Sequence, residues 1–385
     1  MNIGLDARIL ANKKCGIAVY VYSLAREFVR IDESLEVFLF LDHEIDSSYL
    51  SYLDSPHIHK VIFGTAKNEK KHWAQKLLPE KLKQYKIDIY HATWNNAVPM
   101  FRSCPCVLTI HDLAPWVLGG HFKNIAKEIR FKLRHLACSH SADVIITDSE
   151  ESKKDIIRLC RVRQAKIKTI YLGLEESYKS PINPDSRQEY LAEYNLKGKN
   201  YIIDTIGIDH PRRNPLLALN GFYEYLKENN YPDLFLVYTG NYLEEGKQYQ
   251  DLLSRIRELD LGCKVIITGW LSDDKLKSLL SGAKISIIPS LYEGFCLPLL
   301  EAFSCEVPVI ATDCGSIPEV AGNAAILIKP DDYAVLGIKI KELLQNQDFK
   351  RDLIRKGKDR LQAFSWEKSA LETLGVYKHL IKAVK

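Results

Sequence analysis

The chain has 385 residues, 46% of them apolar and 26% charged, with a formal net charge of +4. That length implies more than one domain with ordinary cores, while the small charge excess excludes bulk affinity for nucleic acid and the lack of any run of about 18 apolar residues excludes a membrane-spanning helix. The N-terminus, MNIGLDARIL, has no basic segment ahead of an apolar one and no small-residue cleavage site, so it reads as a first strand of a cytoplasmic protein and not as a secretory signal. The nine cysteines are scattered, and the nearest pair, Cys104 and Cys106, is spaced CxC. Reduced thiols fit that pattern and zinc ligands do not.

In chain order, Asn2–Leu5 reads as a strand and the stretch from about Gly16 to Val29 as a helix. Val37–Leu41, Ile87–His91, Cys106–Ile110 and Val144–Thr147 are further short apolar strands, each followed by an amphipathic segment. The alternation breaks over Lys179–Lys199, where SPINPDSR and KGK are rich in turn formers and charge. It resumes with Tyr201–Ile206, Leu234–Thr239, Lys264–Thr268, Ile285–Ile288, Val309–Ala311 and Ala325–Ile328. A last helix starts near Trp366, with Ser365 as its N-cap. The expectation is an α/β protein with two doubly wound parallel domains, residues 1–180 and 181–365, and a terminal helix, 366–385, returning to the first. Two such domains imply a cleft lined by loops at the carboxyl ends of strands.

The stretch ISIIPSLYEGFCLPLLE, residues 285–301, carries the most chemistry. A buried strand leads through a loop centred on Gly294 into a helix with Pro298 near its first position. Such a helix start offers unpaired N–H groups and a positive dipole end to a phosphate. Glu301, eight residues after Glu293 and about two turns into the helix, can accept hydrogen bonds from a ribose, and Glu293 meets whatever lies beyond the phosphates. In IGIDHPRRNP, residues 206–215, Asn214 and Pro215 read as a cap and first helical position, leaving Arg212 and Arg213 in a loop whose forked donors match phosphate oxygens. His111 and Asp112, just after a buried strand, could meet a sugar hydroxyl or handle a proton. Gly16 marks a loop-to-helix entry where backbone can approach a ligand. Two acidic groups, Asp42–Glu44–Asp46 and Asp273–Asp274, read as a solvated loop and the opening of a helix.

These motifs, in this order, resemble the retaining GT-B glycosyltransferases of family four, the group of bacterial mannosyl- and glucosyltransferases that build surface polysaccharides. EGFCLPLLE followed by PVIATDCGSIPEVAG is the most specific part, and LDAR with Gly16–Ile17, TIHDL, DSEESKKDI and FSWEK follow in family order. The resemblance implies Glu293 near the donor sugar, Glu301 on the ribose, and backbone N–H groups of Gly294, Phe295 and Cys296 near sugar hydroxyls. It implies Leu297 and its neighbours near the diphosphate, Arg213 on the diphosphate, His111 as the active-site histidine, and Gly269 and Trp270 beside the base. Many members carry an arginine directly after the glycine that corresponds to Gly207; this chain has Ile208, which leaves phosphate neutralisation to Arg212 and Arg213.

The reaction implied is transfer of a hexose from a nucleotide diphosphate sugar with retention, the leaving diphosphate being stabilised by arginine and the helix N-terminus. No metal or other cofactor is called for where the protein supplies the positive charge. GDP-mannose is the favoured donor, a UDP-hexose the alternative, and a glycan or lipid-linked acceptor the expectation; a sugar-nucleotide epimerase and a non-catalytic sugar-nucleotide sensor are the rivals. Residues 60–86 hold eight lysines against two glutamates with Trp73, Leu77 and Leu78 interleaved, and Lys123–Arg134 is a second basic stretch. The pattern suggests binding to an anionic surface on the inner face of the plasma membrane, with Trp and Leu entering the interface.

Overall fold

The computed structural model describes residues 1–12, 15–66, 69, 72–94, 97–119, 122, 124–228 and 233–384. The chain divides into two compact units, one built from Met1–Glu175 together with Phe364–Lys385, the other from Glu176–Ala363. No helix of the described residues is long and apolar enough to cross a membrane.

The first unit is a seven-stranded sheet of β1 (Asn2–Asp6), β2 (Glu36–Leu41), β3 (Ile58–Ile62), β4 (Ile89–Ala92), β5 (Cys106–Thr109), β6 (Val144–Thr147) and β7 (Ile167–Thr169). Its order is β3-β2-β1-β4-β5-β6-β7, every pairing parallel. The chain thus winds outward from β1 in one direction, returns, and winds outward again from β4. β4 and β5 are buried along their whole length, as strands covered on both faces must be. The two edge strands, β3 and β7, are absent from the sequence reading. Histidine, lysine and threonine interrupt their few apolar residues, as in IHKVI and IKT, so no continuous apolar run announces them.

Trp73 and Leu78 correct the expectation of a membrane-inserting segment in residues 60–86. Both are buried in the core of this unit. The Trp73 ring stacks on Phe63 at 5.0 Å and takes the Arg8 guanidinium over its face at 4.0 Å, and Arg8 is held in turn by both carboxylate oxygens of Asp6. The apolar residues of that stretch therefore serve the fold; Lys70 and Lys71 lie outside the described residues.

The terminal helix Trp366–Val384 packs on the helix Gly16–Ile31 within this unit. Two features fix it. Tyr377 bonds the ring of His91 at 2.5 Å, and His91 continues through Thr109 to Tyr20 in a buried chain of polar groups. Gly173 lies so close to the helix start that a Cβ there would stand 2.2 Å from the Trp366 backbone nitrogen.

The second unit is a six-stranded parallel sheet of β8 (Asn200–Asp204), β9 (Leu234–Thr239), β10 (Val265–Gly269), β11 (Ile285–Ile288), β12 (Val309–Thr312) and β13 (Ala325–Ile328). The order is β10-β9-β8-β11-β12-β13, so its switch point falls between β8 and β11. The break in the strand–helix pattern at 179–199 holds a short helix, Pro184–Glu193, whose N-terminus is capped by the Asn183 side chain.

Gly173→Ala is expected to destabilise the first unit by at least about 2 kcal/mol, because backbone, not a movable side chain, occupies the space. Gly375→Ala, inside the exposed face of the same helix with nothing near its Cβ position, should instead stabilise by about 0.5–1 kcal/mol. Denaturant unfolding of both variants checks the pair, and equal effects would refute the packing described.

Candidate active site

In an open parallel sheet, ligands bind beyond the carboxyl ends of strands where the winding reverses. In the second unit that point is flanked by the loop after β8, residues 205–214, and the loop after β11, residues 289–296. The first loop ends in a tight turn, Pro211–Arg213, opened by the His210 ring accepting from the Arg212 N–H. Asn214 does not act as the simple cap expected: it adopts a left-handed conformation, φ +50°, and its amide donates to the Pro330 carbonyl at 2.9 Å. The left-handed kink between the turn and the helix Pro215–Glu228 turns the chain where two arginines stand.

Those arginines meet Glu293. Arg212 Nη1 donates to Oε2 at 3.1 Å and Arg213 Nη1 to Oε1 at 3.2 Å, while the Ser290 hydroxyl donates to Oε1 at 2.7 Å. The two loops are also joined by backbone, with Leu291 N–H donating to the Arg212 carbonyl at 2.7 Å. A third loop closes on Glu293 from behind. Ser316 donates to its carbonyl through both backbone and hydroxyl, and Gly315, at φ +55°, approaches so closely that a Cβ would lie 2.6 Å from the Glu293 oxygen. Ser290 and the Gly315–Ser316 contact were not singled out from the sequence, although Gly315 and Ser316 lie in a segment that carries the family resemblance and Ser290 stands three residues before another.

The loop then enters the helix Leu297–Ser304 through Gly294, Phe295 and Cys296, all buried, with Pro298 in the first turn. Cys296 is left-handed, φ +77°, a strained state for a side chain with a Cβ, and burial holds its thiol well above the ordinary range. Glu301 sits half-buried on the second turn of this helix. At the end of β10, Gly269 is again at positive φ, +76°, and is followed by the exposed Trp270, with the Tyr242 ring against the Gly269 backbone. The structure thus brings Arg212, Arg213 and Glu293 into one cluster and sets the Gly294–Leu297 loop, Glu301, Gly269 and Trp270 along the same carboxyl edge.

Asp204, the last residue of β8, escaped sequence reasoning because it sits inside an apolar run that reads as plain strand. It is fully buried; one oxygen accepts from the Ile206 N–H at 2.9 Å and the other has no partner. Burial raises its carboxyl to about 7, against the opposing pull of the Ile206 hydrogen bond and the Arg213 charge.

His111 and Gly16 belong to the first unit. Gly16 is exposed at the first position of its helix, behind Cys15, with no side-chain cap. His111 follows β5, and its Nδ1 bonds Asp148 Oδ2 at 2.7 Å while its Nε2 bonds the Thr93 carbonyl at 3.0 Å. The Thr93 carbonyl can only accept, so Nε2 donates to it; with Asp148 ionised, Nδ1 donates as well and the ring is an imidazolium, while burial pushes the Asp148 carboxyl upward against the pull of His111. Burial alone would lower its pKa, but the Asp148 charge and hydrogen bond and the Thr93 carbonyl outweigh that, and the net shift is upward. Neighbouring His91 is pushed down to about 3, first by burial and then by the His111 charge. Asp148 is the partner that the sequence reading quoted within DSEESKKDI without a role. Asp46, read from the sequence as part of a solvated loop, caps the turn Ser47–Leu53, and Asp273–Asp274 open the helix Asp273–Gly282, as read from the sequence.

Solved structures share this architecture over almost the whole chain. A sucrose-phosphate synthase from Thermosynechococcus elongatus superposes with a TM-score of 0.78 at 18% identity, covering 99% of each chain. Anabaena Alr3699/HepE in complex with UDP-glucose gives 0.77 at 17% identity, covering 97% of this chain and 99% of that one. The fold is therefore GT-B, the two-sheet scaffold of a large class of glycosyltransferases. Residues 15–178 match Glycosyltransferase Family 4 and residues 186–360 match Glycosyl transferases group 1. The O-antigen chain mannosyltransferase B of Escherichia coli is 30% identical over 301 residues, 78% of this chain and 76% of that protein. An MMP alpha-(1->4)-mannosyltransferase of Mycolicibacterium hassiacum is 38% identical over 133 residues, only 34% of this chain and 32% of that protein. The chain belongs to glycosyltransferase family 4, a family of retaining hexosyltransferases.

The Asp204 carboxyl gives a pH signature with a definite sign. Its pKa is higher folded, about 7, than the ordinary 3.8, so between those values the native state binds more protons than the unfolded one. Stability on this account is full below about pH 4 and declines as pH rises toward 7. Asp204→Asn keeps an acceptor for Ile206 without the charge. At pH 8 it should be more stable than the parent by roughly 2–4 kcal/mol, the gap closing at pH 5. Melting curves at both pH values decide it; a variant less stable at pH 8 would mean that the buried group is ionised and needed.

Proposed function

We propose that this glycosyltransferase moves mannose from GDP-mannose, with retention at the anomeric carbon, to a glycan or lipid-linked acceptor in surface polysaccharide or lipopolysaccharide assembly. The observation that carries the reading is the Arg212–Arg213–Glu293 cluster at the switch point between β8 and β11. Forked guanidinium donors beside a helix N-terminus suit a diphosphate leaving group, and stabilising the charge that develops on it is the main catalytic task. Glu293 lies beside that point, where the donor sugar would sit, and Glu301 farther along the helix is assigned to the ribose. His111, held by Asp148 and the Thr93 carbonyl, is assigned to the sugar as the resemblance implies. The mannosyl assignment is supported by relatives such as the O-antigen chain mannosyltransferase B of Escherichia coli. A UDP-hexose donor is the second reading, favoured by the UDP-glucose complex of a protein with the same fold.

Transfer of labelled sugar from a panel of GDP- and UDP-sugars tests both. Arg213→Ala should cost roughly 2–5 kcal/mol of donor-dependent kcat/KM, the scale for losing one partner of a hydrogen-bonded charge pair. Glu301→Ala should mainly raise the donor KM, because a ribose contact is the same in ground and transition states. Unaltered kinetics in Arg213→Ala with every nucleotide sugar would remove the arginine from the site.

The acceptor side is proposed to work at the inner face of the plasma membrane. Residues 1–180 carry 27 Lys and Arg against 21 Asp and Glu, whereas the remainder carries 26 against 28. With Trp73 and Leu78 buried in the core, the surface that fits is the helix Ile125–Ser141. Ile125, Ile129 and Leu133, one turn apart, are 69%, 50% and 60% exposed and are flanked by the exposed Lys127, Arg130 and Arg134; Lys123 lies outside the described residues. An apolar stripe edged by cations suits anionic headgroups, each basic group adding about 1 kcal/mol near the surface. Sedimentation with phosphatidylglycerol vesicles should capture the chain at low salt and release it at high salt. The triple change Lys127→Glu, Arg130→Glu, Arg134→Glu should abolish capture, and equal capture by neutral phosphatidylcholine vesicles would sink the idea.

A further inference from the structure

Glu293 occupies the donors that a diphosphate needs. Its carboxylate is mostly buried and takes one hydrogen bond from each of the two arginines and a third from Ser290. Both guanidinium groups thus share this carboxylate, and one donor beside it makes no hydrogen bond. Arg213 Nε–H is buried with no hydrogen-bond partner, its nearest carboxylate, Asp209, standing 3.9 Å away. A buried charged donor left unfilled is costly, which marks the guanidinium as turned toward an acceptor that arrives with the ligand. Phosphate oxygens match that fork, and they compete with Glu293 for the same groups.

We infer that Glu293 is an internal competitor of the donor diphosphate: it holds Arg212 and Arg213 until the diphosphate takes them, and only then is its carboxylate released to the sugar. The inference rests on the nucleotide-sugar reading above. The geometry makes the exchange local. Glu293 backbone is clamped by Ser316 and Gly315, so the loop stays in place while the side chain changes partners. Ser290 sits three residues away on the same loop and keeps one hydrogen bond on the carboxylate after the arginines leave. Recognition of the diphosphate and recognition of the sugar are thereby coupled through one carboxylate. The same competition favours departure of the spent nucleoside diphosphate, because Glu293 reclaims the arginines as the product leaves.

The consequence runs against the usual effect of removing a site residue. Glu293→Gln keeps the shape and an acceptor for Ser290 but surrenders the charge, so it should bind nucleoside diphosphates more tightly than the parent while transferring sugar more slowly. Isothermal titration of the full chain with GDP, UDP and inorganic pyrophosphate is the direct measurement. The expected result is a dissociation constant about tenfold lower in Glu293→Gln, equivalent to about 1.4 kcal/mol. Glu293→Asp, which draws the carboxylate back by one methylene, should give an intermediate gain. In steady state, kcat and donor KM should fall together in Glu293→Gln, with stronger inhibition by nucleoside diphosphate. Parent binding that is matched or weakened in both variants would overturn the inference and leave the donor assignment standing. Failure of parent and variants alike to bind any of the three probes at millimolar concentration would overturn both.

Discussion

One carboxylate shared by two guanidinium groups organises the second unit. Placing Glu293 inside the protein would cost several kcal/mol if it were left alone. Arg212 and Arg213 from the loop after β8 and Ser290 from its own loop compensate that cost. The pairing ties together the two loops on either side of the switch point, and the Leu291–Arg212 backbone bond runs in parallel with it. The position of the helix Leu297–Ser304, and with it the direction in which its N-terminus points, follows from where this loop is anchored. The strained Cys296 belongs to the same bargain. A left-handed residue is tolerated because the loop on one side and the helix on the other over-determine it.

The first unit treats its buried ionisable groups differently. His111 has an acceptor for each ring N–H, so it carries no lone pair free to take a proton while Asp148 and Thr93 hold it. A general-base role would require one of those bonds to break. His91, one strand over, is neutral and bridges Thr109 and Tyr377. The two histidines are coupled through charge, since the imidazolium at 111 is part of what keeps 91 deprotonated. That arrangement makes the terminal helix, which brings Tyr377, a structural member of the same network that positions His111.

Eleven of the thirteen strands among the described residues, the edge strands β10 and β13 included, appear in the sequence as short apolar runs within two residues of their true ends. β3 and β7 did not, because histidine, lysine and threonine interrupt their few apolar residues. The site was legible where chemistry and local grammar coincide. Glu293, Arg212 and Arg213 sit in motifs whose spacing from strand and helix signals places them at loop ends. What sequence could not supply was the pairing among them, which depends on β8 and β11 being neighbours although 83 residues separate Ile203 from its partner Ser286. Trp73 and Leu78 misled for the complementary reason. Lysines around an apolar residue look the same whether the apolar group faces a membrane or a core, and only the stacking partners Phe63 and Arg8 decide.

The departure at position 208 explains why the arginine pair bears so much. Where the family pattern places an arginine after the glycine, this chain has Ile208, which is buried in the apolar core of the second unit while its N–H donates to the Asn241 carbonyl at 2.8 Å. A side chain directed into that core cannot present a charge to a phosphate, and a lysine or arginine there would have to leave the core to do so. Positive charge at this loop therefore comes from Arg212 and Arg213, supplemented by the helix dipole at Leu297. With no cation at position 208, the negative charge of Glu293 offsets a larger share of the positive charge at this loop. On the proposed reading, how firmly a diphosphate is held depends on how readily that one carboxylate lets go, and the loop geometry around Ser290, Gly315 and Ser316 sets the answer.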